Sequence, residues 1–224
     1  MPPQRARRKR EAGSLASGLT IAHGARPMSE PLDNAVWQAL TGPLARFATG
    51  TPPALRFRED VAPFSALPDA AGDDAWGALR TLAGPGGMAV LFRRGLGAPS
   101  GWETLATMPC AQMTYERPEP PAPTAADSPI ALGESDGADM LALVAATRPG
   151  PFGPRTHQLG RYVGVRDDGR LVAMAGERLR VTGATEISAV RTDPAFQRRG
   201  LAAALVTGLV VEILARRAAL PARR

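Results

Sequence analysis

The sequence predicts an α/β fold of the α+β kind: a mixed, mostly antiparallel sheet flanked by helices, preceded by a small α+β region. Three observations predict it. Residues 161–192 hold three apolar runs separated by Asp168-Gly169 and Thr182-Gly183, the pattern of an antiparallel meander. Pro194 ends the last run by removing a ladder donor. A long helical pattern then starts at Arg198 and runs to about Arg217. Its ridge is Leu201, Leu205, Leu209 and Ile213, widened by Val206, Val210 and Leu214.

The 224 residues, 44% hydrophobic, suffice for one larger domain or two small ones. Four zones follow from composition. Residues 1–30 are polar and basic without an apolar period, and read as a disordered tail. Residues 31–116 form an N-terminal α+β region. Residues 117–129, RPEPPAPTAADSP, read as an extended proline-rich linker. Residues 130–224 carry the tighter α/β pattern, with little pattern in the last seven.

In the N-terminal region, Asn34 is a candidate N-cap for AVWQAL, stopped by Gly42-Pro43, and LARFA suggests another turn. Trp37, Leu40, Leu44 and Phe47 are spaced to share a face. ALRF (54–57) and MAVLF (88–92) are short strand candidates. Asp73 or Asp74 opens a helix closed by Gly84, and residues 102–116 suggest a strand pair. Trp37, Trp76 and Trp102 read as core residues. Further on, IAL (130–132) is a strand, and Ser135 or Asp136 caps a helix with Met140, Leu143, Val144 and Thr147 on one face. Pro149-Gly150-Pro151 ends that helix, and 152–160 is an irregular crossing segment. Strands follow at 161–166, 171–180 and 184–192.

The net charge of +6 is concentrated at the start. Arg5, Arg7, Arg8, Lys9, Arg10 and Arg26 face only Glu11 there, a balance of +5, which leaves +1 for residues 28–224. The run QRARRKR suits nucleic acid or a membrane surface electrostatically. The preferred readings are a disordered tail, or sequence ahead of a start at Met28. Lys9 is the only lysine among 27 basic residues, a bias of composition rather than of phosphate binding. No apolar run approaches the roughly 20 residues of a membrane span, and no apolar stretch follows the basic start. A single cysteine, Cys110, excludes an internal disulfide framework and reads as a small buried thiol. The expectation is a cytoplasmic protein with no membrane association and no metal. His157, in a proline-flanked loop, reads as solvated, and His23 falls in the tail.

The segment that carries chemistry is Gln197-Arg198-Arg199-Gly200-Leu201-Ala202, between the proline stop and the long helix. The first turn of a helix leaves backbone N–H groups without intrahelical partners, at the positive end of its dipole. Such a start accepts a pyrophosphate. Gly200 lets phosphate oxygens approach the backbone, Ala202 keeps the next inward position small, and Gln197 and Arg199 add side-chain donors.

The pattern Gln197-x-x-Gly200-x-Ala202, entered from a strand through Pro194, resembles the pyrophosphate motif of the GNAT superfamily of N-acetyltransferases. The stretches 160–180 and 186–202 resemble a branch with an additional N-terminal region. The resemblance covers roughly residues 130–215, is weaker over 31–116, and is absent before Met28. It implies an acyl-CoA-dependent N-acyltransferase using acetyl-CoA as co-substrate. Main-chain groups of Ala189, Val190 and Arg191 would bind the pantetheine arm, and the amides of Gln197, Arg198, Arg199, Gly200, Leu201 and Ala202 the pyrophosphate. The thioester carbonyl would lie near Val190. Glu186 matches the place of a general-base carboxylate. Such a base is needed because an alkyl ammonium with a pKa of about 10 is not nucleophilic at neutral pH. A strand-end glutamate equally suits a salt bridge. Glu177 is a second candidate base or a wall of the acceptor pocket.

The resemblance also implies a further strand, a tyrosine-bearing helix and a closing strand pair after the long helix. This sequence ends first, so the expectation is an incomplete domain with an exposed sheet edge. Tyr115 and Tyr162 match no general-acid position. Two other readings stand beside the enzyme: a CoA-binding module without catalysis, and a nucleic-acid-binding protein using residues 5–10, ranked last. The acceptor would be a small amine or a protein N-terminus. Its pocket would be formed by residues 133–160 with Pro149 to Pro154 as the rim.

Overall fold

Strands β8 (Tyr162–Asp167), β9 (Arg170–Val181) and β10 (Ala184–Thr192) form the expected antiparallel meander. Asp168 and Gly169 take φ of +47° and +79°, as a two-residue hairpin turn of this twist requires. The computed structural model describes residues 19–22, 29–95, 97–117, 119, 121–122, 129–147 and 150–218. Strand β7 (Ile130–Leu132) pairs antiparallel with β8 on one side of the meander.

The other side departs from expectation. Strand β1 (Leu19–Ala22) pairs antiparallel with β10 over Ala184–Ile187, and β6 (Met113–Thr114) joins β1 in parallel. The sheet order is β6-β1-β10-β9-β8-β7. Residues 19–22, assigned to a disordered tail, are therefore a strand, and the edge expected to be bare is paired along half of β10. An open strand edge presents a row of unpaired N–H and C=O groups, and the β-prone tetrapeptide LTIA satisfies them. The remaining tail residues, His23 among them, lie outside the described residues.

Helix α5 (Leu201–Ala218) covers one face of this sheet. Its ridge residues Leu201, Leu205, Leu209 and Ile213 are buried against Val163, Val172, Ala175 and Ile187. The last turn is tied down by charge: Arg216 bonds Glu177, and Arg161 pairs with Glu212. Helix α4 (Gly137–Ala146) covers the opposite face, with Met140, Leu143 and Val144 packed on Leu132, Tyr162 and Met174.

The N-terminal region builds a second, four-stranded sheet. Helices α1 (Ser29–Asp33) and α2 (Ala35–Leu40) precede β2 (Ala48–Thr51), β3 (Ala54–Phe57) and β4 (Phe64–Ala66). Helix α3 (Asp73–Ala83) follows, then β5 (Val90–Leu91), in the order β2-β3-β4-β5. Leu40, Leu44 and Phe47 are buried and Trp37 packs beside them, the shared face their spacing predicts. Asn34 does not cap α2; its Nδ2 reaches Leu67 O (2.9 Å) and Asp69 Oδ1 (2.7 Å). Trp76 and Trp102 pack with their rings tilted by 58° and centroids 5.6 Å apart. One hydrophobic cluster joins Leu40, Phe57 and Phe64 of this region to Leu179, Val181 and Ala184 of the meander. The sequences on either side of the proline-rich stretch thus share a core.

Residues 102–116 are extended but not a strand pair; only Met113–Thr114 enters a ladder. The segment lies on the surface, held by Trp102 against Trp76 and by Gln112 Nε2 donating to Leu32 O (3.1 Å), and Cys110 between them is exposed rather than buried. Among the described residues, no helix is long and apolar enough to cross a membrane.

Gly176 sits opposite Tyr162 in the β8–β9 ladder, and a Cβ there would overlap the tyrosine ring. Gly176→Ala is expected to lower stability by about 1–3 kcal/mol through overpacking, read as a shift of the urea midpoint at unchanged m-value.

Candidate active site

Strand β10 ends the meander with an irregularity that organises the site. Ser188 faces Gly176 and Arg191 faces Met174, so Ala189 and Val190 together oppose one residue of β9. This is a β-bulge, with Ala189 at φ +52°. The extra residue resets the alternation of side chains. Ile187 and Val190 pack toward α5, whereas Glu186, Ser188, Ala189 and Arg191 all line a cavity on the other face. Ala189 and Val190 have no ladder partner on β9, and β1 pairs with β10 only up to Ile187 among the described residues. Main-chain donors and acceptors at Ala189 and Val190 therefore sit where the regular ladder lapses, and Arg191 rejoins it opposite Met174.

Beyond β10, Asp193 closes a tight turn by accepting from Ala195 N (2.9 Å), and its carboxylate pairs with Arg170 (3.0 Å). The chain then passes through Arg198 at φ +61° and Gly200 at φ +81° into α5. Gln197, Arg198, Arg199 and Gly200 are exposed, and a Cβ built on Gly200 would meet nothing within 4 Å. The helix entrance is thus open to solvent at its positive end, beside the bulged strand. Leu201 is buried and Ala202 half-buried, so these two contribute backbone only. The side chains of Gln197 and Arg199 brace the turn. Gln197 Nε2 lies 3.4 Å from Thr192 O, and Arg199 donates to Ala195 O (3.3 Å) while its guanidinium covers the Phe196 ring at 4.7 Å. Such an entrance fits a diphosphate.

The cavity lies between the two sheets and has a volume of about 60 Å³. Leu32, Ala35, Phe64 and Phe92 form its N-terminal wall, and Gly150, Pro151 and Phe152 its rim, within the span expected to form one. Glu186 is buried there, bound by Arg178 through Nε to Oε2 (3.1 Å) and Nη2 to Oε1 (2.5 Å). Arg178 also lies over the Phe64 ring at 5.2 Å. The two Arg178 bonds occupy two of about four acceptor positions on the carboxylate. Glu186 is thus both salt-bridged and turned to the cavity. Glu177 is not: it is buried, bound to Arg180 (3.3 Å) and to Arg216 of α5, away from the cavity lining. Adjacent strand residues point to opposite faces, so Glu177 and Arg178 part company, and Glu177 anchors a helix.

Sequence reasoning missed three cavity residues. Arg178 follows Glu177 in β9, and a strand that is buried over most of its length with two adjacent charges is a readable signal. Tyr162 is 1% exposed and its hydroxyl has no hydrogen-bond partner among the described residues. Burial pushes its phenol well above the ordinary range, so it stays protonated. Arg191 was read for its main chain alone. Its Nε is buried without a partner, and burial pushes its pKa down, although a guanidinium stays charged. His157, expected in solvent, is half-buried with both ring nitrogens unpartnered, because the crossing segment packs under the rim. Among the described residues, no group of three or more His, Cys, Asp or Glu side chains gathers as metal ligands do.

A family model described as FR47-like protein matches residues 162–222. The fold is similar to the crystal structure of a GNAT-family protein, described as an acetyltransferase, from Novosphingobium aromaticivorans DSM 12444. The TM-score is 0.66 with 32% sequence identity, over 84% of this chain and 82% of that one. No curated protein matches the chain significantly by sequence.

Arg178→Met leaves Glu186 as an uncompensated buried charge and is expected to cost about 3–5 kcal/mol in chemical denaturation at neutral pH. The double substitution Arg178→Met, Glu186→Met should recover most of that loss, since it removes both charges together.

Proposed function

The chain belongs to the GNAT family of acetyltransferases, and we propose that it transfers an acetyl group from acetyl-CoA to an amine, by direct attack of the amine on the thioester. The observation that carries this reading is the open entrance of α5 at Gly200, set beside a bulged strand whose main chain has left its ladder. The amides from Gln197 to Ala202 hold the pyrophosphate with the positive end of the helix dipole. Main-chain groups of Ala189, Val190 and Arg191 bind the pantetheine arm. The Val190 N–H supports the negative charge that develops on the thioester oxygen. Glu186 takes the proton from the amine through a lone pair that Arg178 leaves open. The reaction is taken to be cytoplasmic, in keeping with a single cysteine.

One observation favours a second reading, a module that binds CoA without turnover: the bidentate hold of Arg178 on Glu186. It is separated from the first by whether bound acetyl-CoA releases free thiol when amines are added. The basic run 5–10, on which a nucleic-acid role would depend, lies outside the described residues.

Millimolar acetyl-CoA is expected to stabilise the protein by about 4 kcal/mol if its Kd is micromolar, seen as a rise in melting temperature. Gly200→Glu should abolish that rise by placing a side chain and a negative charge in the cradle; an unaltered rise would overturn the pyrophosphate assignment. Glu186→Gln should lower kcat by about 10²- to 10⁴-fold while the acetyl-CoA shift persists. Full activity of that variant would remove Glu186 from the role of base.

A further inference from the structure

The cavity has an unbalanced charge. Its charged lining residues are Arg178, Glu186 and Arg191. The first two neutralise one another in a bidentate pair. Arg191 enters no ion pair among the described residues, and its Nε is buried without a hydrogen-bond partner. The Arg191 side chain is half-buried, and a buried N–H such as its Nε normally has an acceptor. Tyr162, on the same cavity, has a fully buried hydroxyl with no partner, and nearly all buried polar groups are hydrogen-bonded. Both side chains line this cavity and each adjoins the rim segment 150–152. Phe152 packs edge-on against Tyr162 with centroids 5.9 Å apart. Gly150, two residues earlier, lies so close to Arg191 that a Cβ there would come within 2.7 Å of Nη2. Gly150 thus leaves room for the guanidinium under the rim.

We propose that the acceptor is an amine that also carries a carboxylate, held in this cavity by the Arg191 guanidinium and the Tyr162 hydroxyl. The proposal rests on the acyl-transfer reading above and narrows its substrate class to α-amino acids and similar small amino acids. A guanidinium offers a carboxylate two parallel N–H donors, and a phenol adds a third donor. Glu186 lines the same cavity, so an acceptor held by its carboxylate presents its ammonium toward the one carboxylate there. A protein N-terminus has its carboxylate replaced by a peptide bond and leaves Arg191 unanswered.

The test uses matched pairs that differ only in the carboxylate: alanine with ethylamine, and phenylalanine with 2-phenylethylamine. Thiol release from acetyl-CoA by the full chain gives kcat/KM for each. The amino acid is expected to exceed its decarboxylated partner by about 10- to 100-fold, the worth of a charge-assisted hydrogen bond. Arg191→Met should bring that ratio toward one, and Arg191→Lys should restore part of it. Tyr162→Phe should raise the melting temperature, because it removes an unsatisfied buried hydroxyl, yet raise KM for the amino acid. The same contrast is read without turnover as thermal stabilisation by millimolar amino acid against amine. Equal stabilisation and equal kcat/KM within each pair would overturn the carboxylate assignment. So would a ratio that Arg191→Met leaves intact, or a preference that follows a carboxylate on the acyl donor, tested with succinyl-CoA against acetyl-CoA. Absence of any acetyl-CoA shift would instead defeat the acyl-transfer reading, and the amino-acid stabilisation would still decide the carboxylate site.

Discussion

A single extra residue in β10 governs which of its side chains face the cavity and which face α5. A regular strand would place 186, 188, 190 and 192 on one face and 187, 189 and 191 on the other. The bulge at Ala189 and Val190 breaks that rule between Ser188 and Arg191. Val190 thereby joins Ile187 against α5, and Arg191 joins Glu186 and Ser188 at the cavity. Ala189 meets the cost of this change with a left-handed backbone, about 1–2 kcal/mol for a residue with a Cβ. The packing of Val190 into the α5 interface helps to hold it.

The same bulge separates two kinds of binding surface. The main chain of Ala189 and Val190 has left the β9 ladder, which resumes at Arg191, shortly before the open entrance of α5. The side chains on the cavity face meet the N-terminal sheet, whose Phe64 and Phe92 close the opposite wall. The N-terminal region is therefore part of the site rather than an appendage. It shares a core with the meander through Leu179, Val181 and Ala184, and its Phe64 ring carries the Arg178 guanidinium that holds Glu186.

Charge in the buried parts is arranged face by face. Toward α5, Glu177 is neutralised by Arg180 and Arg216 and fastens the helix. Toward the cavity, Glu186 is neutralised by Arg178. Arg191 stands outside both arrangements. With so many arginines in the sequence, a half-buried guanidinium whose Nε is buried without an acceptor is more informative than one on the surface, because an unsatisfied buried donor is costly.

Much of this was legible in the residues themselves. The turn dipeptides, the Pro194 stop and the i, i+4 ridge of α5 determine the meander and helix almost to the residue, because local backbone preference and hydrophobic period agree there. The exposed glycine turn at Gly200 that leads into α5 is legible for the same local reason. What only the tertiary structure decided is non-local. Leu19–Ala22 became a strand because β10 had an edge to offer. Cys110 stayed exposed because the contacts that hold its segment, Trp102 on Trp76 and Gln112 on Leu32, fall to either side of it. Arg191 turned to the cavity because a bulge, invisible to a period-2 reading, shifted the alternation by one residue. Local periodicity states which residues can share a face; which face meets the ligand depends on partners far away in the chain.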